Sequence, residues 1–436
     1  MKIAIAQINT LTGDIEKNFK RITELSKKYE NVLIHPLSLT GGEIGRLKEN
    51  KDFKKQIDAY IKTIAENNKK IPVPYYFNAT PWTKNKKTTF SGKKGIHLNL
   101  VGGYEDKIYE GSSFIIDQNG KKIYELASFK EEIAVIDFDN GQFTSIPENE
   151  KQSPKAKEEK LFTALTLALR DYVKKSGFEK VVIGLSGGMD SAFVAVLASE
   201  ALGGNNVHCL LMPSQYTSEM SNNLAIELCQ NFSIQYDIIP IAKIFEQTSC
   251  SLIPALKSER SDTTFENLQA RIRGMLLMSV SNRNDEMLLA TGNKSELLTG
   301  YTTLYGDTCG GFNPIKDLYK SEIYQTAKWY NKTHKSKIPE KIITRPPTAE
   351  LKLNQKDSDN LPPYPTLDGI LRLFIEKNMS IEEITSHGYD KNIVKKVFKL
   401  LESSEYKRRQ LATGPIITRN SIYANPFPII NRFTLI

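Results

Sequence analysis

Cysteine is scarce in this 436-residue sequence. Only Cys209, Cys229, Cys250 and Cys309 occur, with no C-x-x-C pair among them. A disulfide framework or a zinc site is therefore not expected, and a reducing cytoplasm fits. No cysteine precedes position 209, so the first 208 residues cannot supply a thiol nucleophile. Long apolar runs are also missing, which argues against a transmembrane helix. The opening Met1-Lys2-Ile3-Ala4-Ile5-Ala6-Gln7 has a short apolar stretch and no small-residue cleavage site. It reads as a first β-strand and not as a signal peptide. Acidic residues are outnumbered, 50 against 59 Lys and Arg, for a formal charge of +9. The basic stretch 84–94 reads as a solvated loop, so no nucleic-acid partner is expected. The positive excess suits anionic nucleotide substrates.

With 40% hydrophobic and 25% charged residues, the chain has the material for real cores, and its length implies two or three domains. The polar segment 140–160, with Pro147 and Pro154, divides it, giving domains 1–145 and 161–436 around a linker 146–160. Before the linker, α and β are mixed. Strands are expected at 3–8, 32–35, 96–101, 113–117 and 133–137. A helix is expected at 15–29 with Asp14 as N-cap, and Asn119-Gly120 signals a hairpin turn. After the linker, apolar strands at 181–185, 207–212, 236–240 and 287–290 alternate with helices at 160–175, 192–201, 218–231 and 265–282. That alternation predicts a parallel sheet covered on both faces, with ligands at the carboxyl ends of its strands.

The first of these strands runs through Gly184-Leu185 into Ser186-Gly187-Gly188-Met189-Asp190-Ser191, and a helix follows. Paired glycines let the backbone approach phosphate oxygens, and a helix N-terminus offers N–H donors to them. No Gly-Lys-Ser/Thr follows, so this is not a Walker loop. Asp190 beside phosphates calls for a bridging cation such as Mg²⁺. The string resembles the S-G-G-x-D-S loop of the ATP pyrophosphatases, which cleave ATP to AMP and pyrophosphate.

Later segments narrow the acceptor. They are Glu266-Asn267-Leu268-Gln269-Ala270-Arg271-Ile272-Arg273, Ala290-Thr291-Gly292-Asn293-Lys294-Ser295-Glu296-Leu297, Gly300-Tyr301-Thr302-Thr303-Leu304-Tyr305-Gly306-Asp307, Pro314-Ile315-Lys316-Asp317-Leu318-Tyr319-Lys320 and Arg345-Pro346-Pro347-Thr348-Ala349-Glu350-Leu351. Leu361-Pro362-Pro363-Tyr364, Glu405-Tyr406-Lys407 and Pro428-Ile429-Ile430-Asn431-Arg432-Phe433 complete the set. Together, over roughly 155–436, they resemble the synthetase domain of bacterial NAD synthetases of the glutamine-dependent two-domain type.

The resemblance implies a Rossmann-like ATP-pyrophosphatase (adenine nucleotide alpha hydrolase-like) α/β domain. The activity it implies is ATP-dependent amidation of deamido-NAD to NAD through an adenylated intermediate. ATP would contact Gly184, Leu185, Ser186, Gly187, Gly188, Met189, Asp190, Ser191, Thr291, Lys320 and Thr348. Asp190 and Glu296 would hold Mg²⁺, and Asp190 and Lys320 would be the catalytic pair. Asn267, Arg271, Glu296, Tyr301, Thr302, Thr303, Leu304 and Lys407 would bind deamido-NAD, and a homodimer or higher homo-oligomer is implied. The residue chemistry agrees. Carboxylates are hard ligands for Mg²⁺, Lys320 is a point cation suited to a polyphosphate, and Arg271 offers a fork for phosphate or carboxylate.

The first 140 residues resemble a nitrilase-type glutaminase domain through Ile3-Ala4-Ile5-Ala6-Gln7-Ile8-Asn9, His35-Pro36-Leu37-Ser38-Leu39-Thr40-Gly41 and Asn99-Leu100-Val101-Gly102-Gly103. That family's catalytic Glu is missing between Pro36 and Leu37, and the stretch carrying its Lys and Cys is absent. A shortened, catalytically inactive α+β remnant is expected, with ammonia taken free or from a separate glutaminase. Two rival readings are amidation of nicotinate mononucleotide and a pseudo-synthetase serving as a regulatory subunit.

Overall fold

A computed structural model describes residues 1–67, 71, 73–84, 93–147, 156–256, 262–335, 337–352, 355, 357–422 and 426–430. Most of the basic stretch 84–94, most of the linker 146–160 and the terminal Asn431-Arg432-Phe433 lie outside them. The chain divides into two compact units, Met1–Ala156 and Lys157–Ile436.

In the first unit the strands are β1 (Lys2–Gln7), β2 (Val32–Ile34), β3 (Tyr75–Asn78), β4 (Gly95–Asn99), β5 (Val101–Tyr104), β6 (Lys107–Glu110), β7 (Phe114–Ile116), β8 (Lys122–Glu125), β9 (Glu132–Asp139) and β10 (Gln142–Ser145). They form two four-stranded mixed sheets, β10-β9-β1-β2 and β3-β4-β7-β8, and a β5-β6 hairpin. The two-residue period of β1 sets the layers. Ile3 and Ile5 pack with Ile96, Leu98 and Ile115 of the other sheet. Ala4 and Ala6 face Ile15 and Ile22 of helix Ile15–Lys28. Asp14 caps that helix, accepting from Lys17 N at 3.1 Å. Gly120, at φ +77°, makes the β7–β8 turn. Two expectations change. The strand foreseen at 96–101 splits into β4 and β5, which belong to different sheets, and Gly102 at φ +125° sits just past the break. The polar start of the supposed linker forms β10, an edge strand in which Phe143 alone packs inward while Gln142, Thr144 and Ser145 are exposed and so look like loop.

The second unit holds β11 (Lys180–Gly184), β12 (Val207–Leu211), β13 (Gln235–Ile238) and β14 (Glu286–Leu289) in one parallel sheet of order β13-β12-β11-β14. Val181, Val182 and Ile183 are fully buried, as a strand covered on both faces requires. The order reverses between β11 and β14, and their carboxyl ends lead through loops 185–188 and 290–293 into the helices that carry Asp190 and Glu296. A crevice at such a switch point is the default ligand site of an open α/β sheet. Helix Met189–Leu202 follows β11 directly, and helix Thr263–Asn284 precedes β14. Beyond β14 the described residues form helices, including Lys294–Thr299, Lys320–Thr333, Tyr364–Lys377 and Lys391–Ser403, joined by a core around Leu367, Ile370, Leu371, Val397 and Phe398, and no further strand. Among the described residues no helix is long and apolar enough to cross a membrane.

Candidate nucleotide-binding site

The turn after β11 is shaped by its glycines. Gly187 has φ +75°, and a Cβ there would lie 2.2 Å from Ser221 O. Gly188 is the N-cap of helix Met189–Leu202 and gives it no side-chain cap, which leaves the donors of the first turn available to an anion. Ser191 Oγ accepts from Ser186 N at 3.2 Å and lies 3.0 Å from Ser186 Oγ, closing the loop on itself. Asp190 sits in the helix's first turn.

Three carboxylates and one ammonium meet beside this turn. Glu296 stands at the third position of helix Lys294–Thr299, fixed by a reciprocal cap. Asn293 Oδ1 accepts from Glu296 N at 3.1 Å, and Glu296 Oε2 accepts from Asn293 N at 3.4 Å. Asn293 Nδ2 donates to Asp190 Oδ1 at 3.2 Å. Lys320 Nζ bonds Asp190 Oδ2 and lies 3.2 Å from Glu296 Oε1. Lys320 is 3% exposed, and it opens helix Lys320–Thr333, where the helix dipole disfavours a cation. Burial opposes its charge as well, yet Asp190 and Glu296 outweigh this and hold the ammonium charged beyond the usual lysine range. Tyr364 Oη lies 2.9 Å from Asp357 Oδ2 and 3.3 Å from Glu296 Oε1, under the Lys320 ammonium. Burial pushes the Glu296 carboxyl up to about 8, against the pull of Lys320 and with the help of Asp190 and Asp357. Asp357 is raised too, first by burial. Burial and mutual repulsion thus favour a protonated Glu296 while no further cation is present, and among the described residues no group of three or more acidic, histidine or cysteine side chains is arranged to hold a metal ion. Asp190 and Glu296 offer hard oxygen donors, so a divalent cation here would have to complete its shell with oxygens from a bound phosphate.

Asp190, Glu296, Lys320 and Asp357 line a cavity of about 280 Å³. Of the residues expected to meet there, Gly184, Leu185, Ser186, Gly188, Met189, Asp190, Ser191, Thr291, Glu296, Tyr301, Thr302, Lys320 and Thr348 are in its wall. Gly187, Asn267, Arg271, Thr303, Leu304 and Lys407 are not in that wall, and five of them organise one loop. Lys407 Nζ donates to Gly300 O and Thr302 O, both at 2.7 Å. Thr303 Oγ1 donates to Asn267 Oδ1 at 2.7 Å, and Arg271 Nε donates to Leu304 O at 3.3 Å. Lysine and arginine spend donors on carbonyls here, shaping the 300–304 turn.

Sequence reasoning passed over several contributors. Arg345 Nη2 donates to Gly187 O and Nη1 to Ser221 Oγ, both at 2.8 Å, bracing the phosphate loop. Glu350, at φ +48°, accepts from the Ser218 and Ser221 hydroxyls at 2.9 and 2.8 Å. Both lie in the 345–351 segment, where only Thr348 carries an expected role. Tyr364, Asp357 and Asp307 also line the cavity or bond its carboxylates.

A parallel α/β sheet with an uncapped glycine turn at its switch point places free N–H donors where α/β domains take their ligands, an arrangement suited to an anionic one. The sequence matches the NAD synthase family over residues 161–411, and the chain belongs to that family. It is 41% identical over 349 residues to the glutamine-dependent NAD(+) synthetase of Rhodobacter capsulatus, a match covering 78% of this chain and 63% of that protein. The chain thus spans less than two thirds of that relative's length. Its structure is similar to that of the glutamine-dependent NAD+ synthetase from Acinetobacter baumannii in complex with adenosine diphosphate (TM-score 0.71, 28% identity), over 99% of this chain and 98% of that one. It also resembles the NMN synthetase from Francisella tularensis (TM-score 0.50, 25% identity), over 58% of this chain and 97% of that one.

Proposed function

We propose that the chain amidates deamido-NAD to NAD at the expense of ATP, with ammonia as the nitrogen donor. The observation that carries this is the Asp190–Lys320–Glu296 cluster at the mouth of the glycine turn, inside one cavity. Family membership and the ADP-bound neighbour support a nucleotide there.

The carboxylate of the nicotinate ring is a poor electrophile and needs activation. Its oxygen attacks the α-phosphorus of ATP, a P–O bond breaks, and pyrophosphate leaves. Ammonia then attacks the acyl carbon, a C–N bond forms with loss of one proton to solvent, and the acyl C–O bond breaks as AMP departs with the carboxylate oxygen. The turn's N–H groups and the Lys320 ammonium offset charge that builds on the leaving pyrophosphate. Asp190 and Glu296 are the side chains that would hold Mg²⁺, which supplies further charge neutralisation on the phosphates when bound. Thr291 and Thr348 contact the nucleotide. Tyr301 and Thr302 face the dinucleotide on a loop that Lys407, Asn267 and Arg271 hold in shape. No side chain acts as a nucleophile; orientation and electrostatics carry the rate.

The first unit is read as a shortened nitrilase-like remnant without a triad, and a cytoplasmic homodimer or higher homo-oligomer is the working assembly. The likeness to an NMN synthetase supports a second reading, amidation of nicotinate mononucleotide. Purified chain given ATP, Mg²⁺, ammonium and deamido-NAD should release NAD, AMP and pyrophosphate in equal amounts. A preference for nicotinate mononucleotide in competition would move the assignment to the second reading. Absence of AMP with either acceptor would leave the pseudo-synthetase reading.

A further inference from the structure

Glu296 and Lys320 stand at the starts of two separate helices, Lys294–Thr299 and Lys320–Thr333. Their side chains meet at 3.2 Å only while those starts keep their relative position. A buried carboxylate on a third helix holds them. Asp368, on Tyr364–Lys377, is 2% exposed. Its Oδ1 accepts from Ser295 Oγ at 2.5 Å and its Oδ2 from Ser321 N at 2.9 Å. Ser295 Oγ in turn accepts from Lys320 N at 3.0 Å. Ser295 precedes Glu296 and Ser321 follows Lys320, so one carboxylate is bonded to the neighbours of both site residues. Tyr364, one turn earlier and on the same helix face, adds its hydroxyl against Glu296 and Asp357.

A carboxylate is kept inside a protein against its desolvation when its oxygens are fully engaged. Burial pushes the Asp368 carboxyl up, while the Ser295 and Ser321 donors and Arg372 pull it back. Asp368 does not line the cavity.

We propose that Asp368 is a positioning residue for the adenylation step, setting the Lys320–Glu296 pair through Ser295 and Ser321 without touching substrate. This rests on the activity proposed above. Lys294 N also donates to Leu318 O at 2.7 Å, so the two segments stay tied by a backbone bond when the Asp368 side chain is removed.

The test uses the full chain and three variants, Asp368→Ala, Ser295→Ala and Asp368→Asn, assayed for AMP formation with ammonium, MgATP and deamido-NAD. Thermal melts and crystal structures accompany the assay. Asp368→Ala and Ser295→Ala should lower kcat about 10- to 100-fold while KM for ATP stays within about threefold, the pattern of a displaced catalytic group. Asp368→Asn retains an acceptor for Ser321 N and should recover most of the rate. In Asp368→Ala crystals Lys320 Nζ should leave hydrogen-bond reach of Glu296. The proposal is overturned by an unchanged kcat in folded Asp368→Ala. It is equally overturned by a rate loss that only tracks a lost folded fraction, or by an unaltered Lys320–Glu296 contact in the variant crystals. If the parent makes no AMP yet the contact opens in Asp368→Ala, Asp368 still sets the Lys320–Glu296 pair, while its part in adenylation falls together with the amidation reading.

Discussion

At the residue scale, a single ammonium keeps Asp190 and Glu296 close to each other. Lys320→Met keeps most of the side chain's bulk but removes the charge, so the two carboxylates repel and the leaving pyrophosphate loses its cation. Pyrophosphate release should fall by about 10²–10³-fold, the usual cost of deleting one electrostatic donor to a transition state. A rate within about tenfold of the parent would place Lys320 outside the chemistry. A different single residue sets a pH response in the first unit. His35 is 5% exposed, and its Nδ1 accepts from Leu37 N at 3.2 Å. Burial lowers its pKa to about 4 from 6.5. Folding therefore favours the neutral ring. The stability it contributes is fully present above pH 6.5 and is lost as pH falls through the window from 6.5 to about 4. The most this can amount to is about 3 kcal/mol, because a tenfold change in proton affinity is worth about 1.4 kcal/mol. His35→Phe should flatten the melting temperature of the first unit across that window. An identical acid slope in the variant would assign it to other groups.

At the element scale, the turn between β11 and helix Met189–Leu202 tolerates no Cβ at position 187. Gly187→Ala would place one 2.2 Å from Ser221 O, with the backbone at φ +75°. The turn must shift, at a cost of about 1–3 kcal/mol, and the Arg345 bond to Gly187 O shifts with it. Calorimetry should show a lower melting temperature and a raised KM for ATP; a variant with parental values for both would mean the turn is softer than its contacts suggest. Elements like this were legible because their signals are local. Val181, Val182 and Ile183 form an apolar run too short for a helix, and paired glycines then mark the turn. Asp14 marks a helix start by itself. Helix Ala242–Leu256 was not foreseen, because it carries Pro254 and buries none of its side chains fully. The division of 96–101 between two sheets depends on which strands pair, and that information lies far away in the sequence. The same holds for Arg345, Glu350 and Asp368. Their partners Gly187, Ser221, Ser218, Ser295 and Ser321 are 47 to 158 residues away, and nothing in local spacing shows a contact of that kind.

At the scale of the whole molecule, the question is where the nitrogen comes from. Relatives are named glutamine-dependent, but the chain spans 63% of the length of the Rhodobacter capsulatus protein, and its first 208 residues contain no cysteine. Hydrolysis of glutamine by a nitrilase-type site needs a thiolate to attack the amide carbon, and neither Glu43 nor Lys48 can substitute for it. Glu43 is already engaged by Lys107, with Tyr109 Oη 3.5 Å away. If the cavity takes ATP as proposed, a chain with no thiol in its first unit should accept ammonium and ignore glutamine. The decisive comparison holds ATP, Mg²⁺ and deamido-NAD fixed and varies only the nitrogen source. NAD should form with ammonium, while glutamine at equal concentration should give only the trace expected from its spontaneous release of ammonia. In parallel, a glutamine-directed alkylating reagent followed by peptide mapping should leave Met1–Ala156 unlabelled and ammonium-dependent turnover intact. Turnover with glutamine matching that with ammonium would require a nucleophile other than cysteine in the first unit, and the labelled peptide would then say which residue it is.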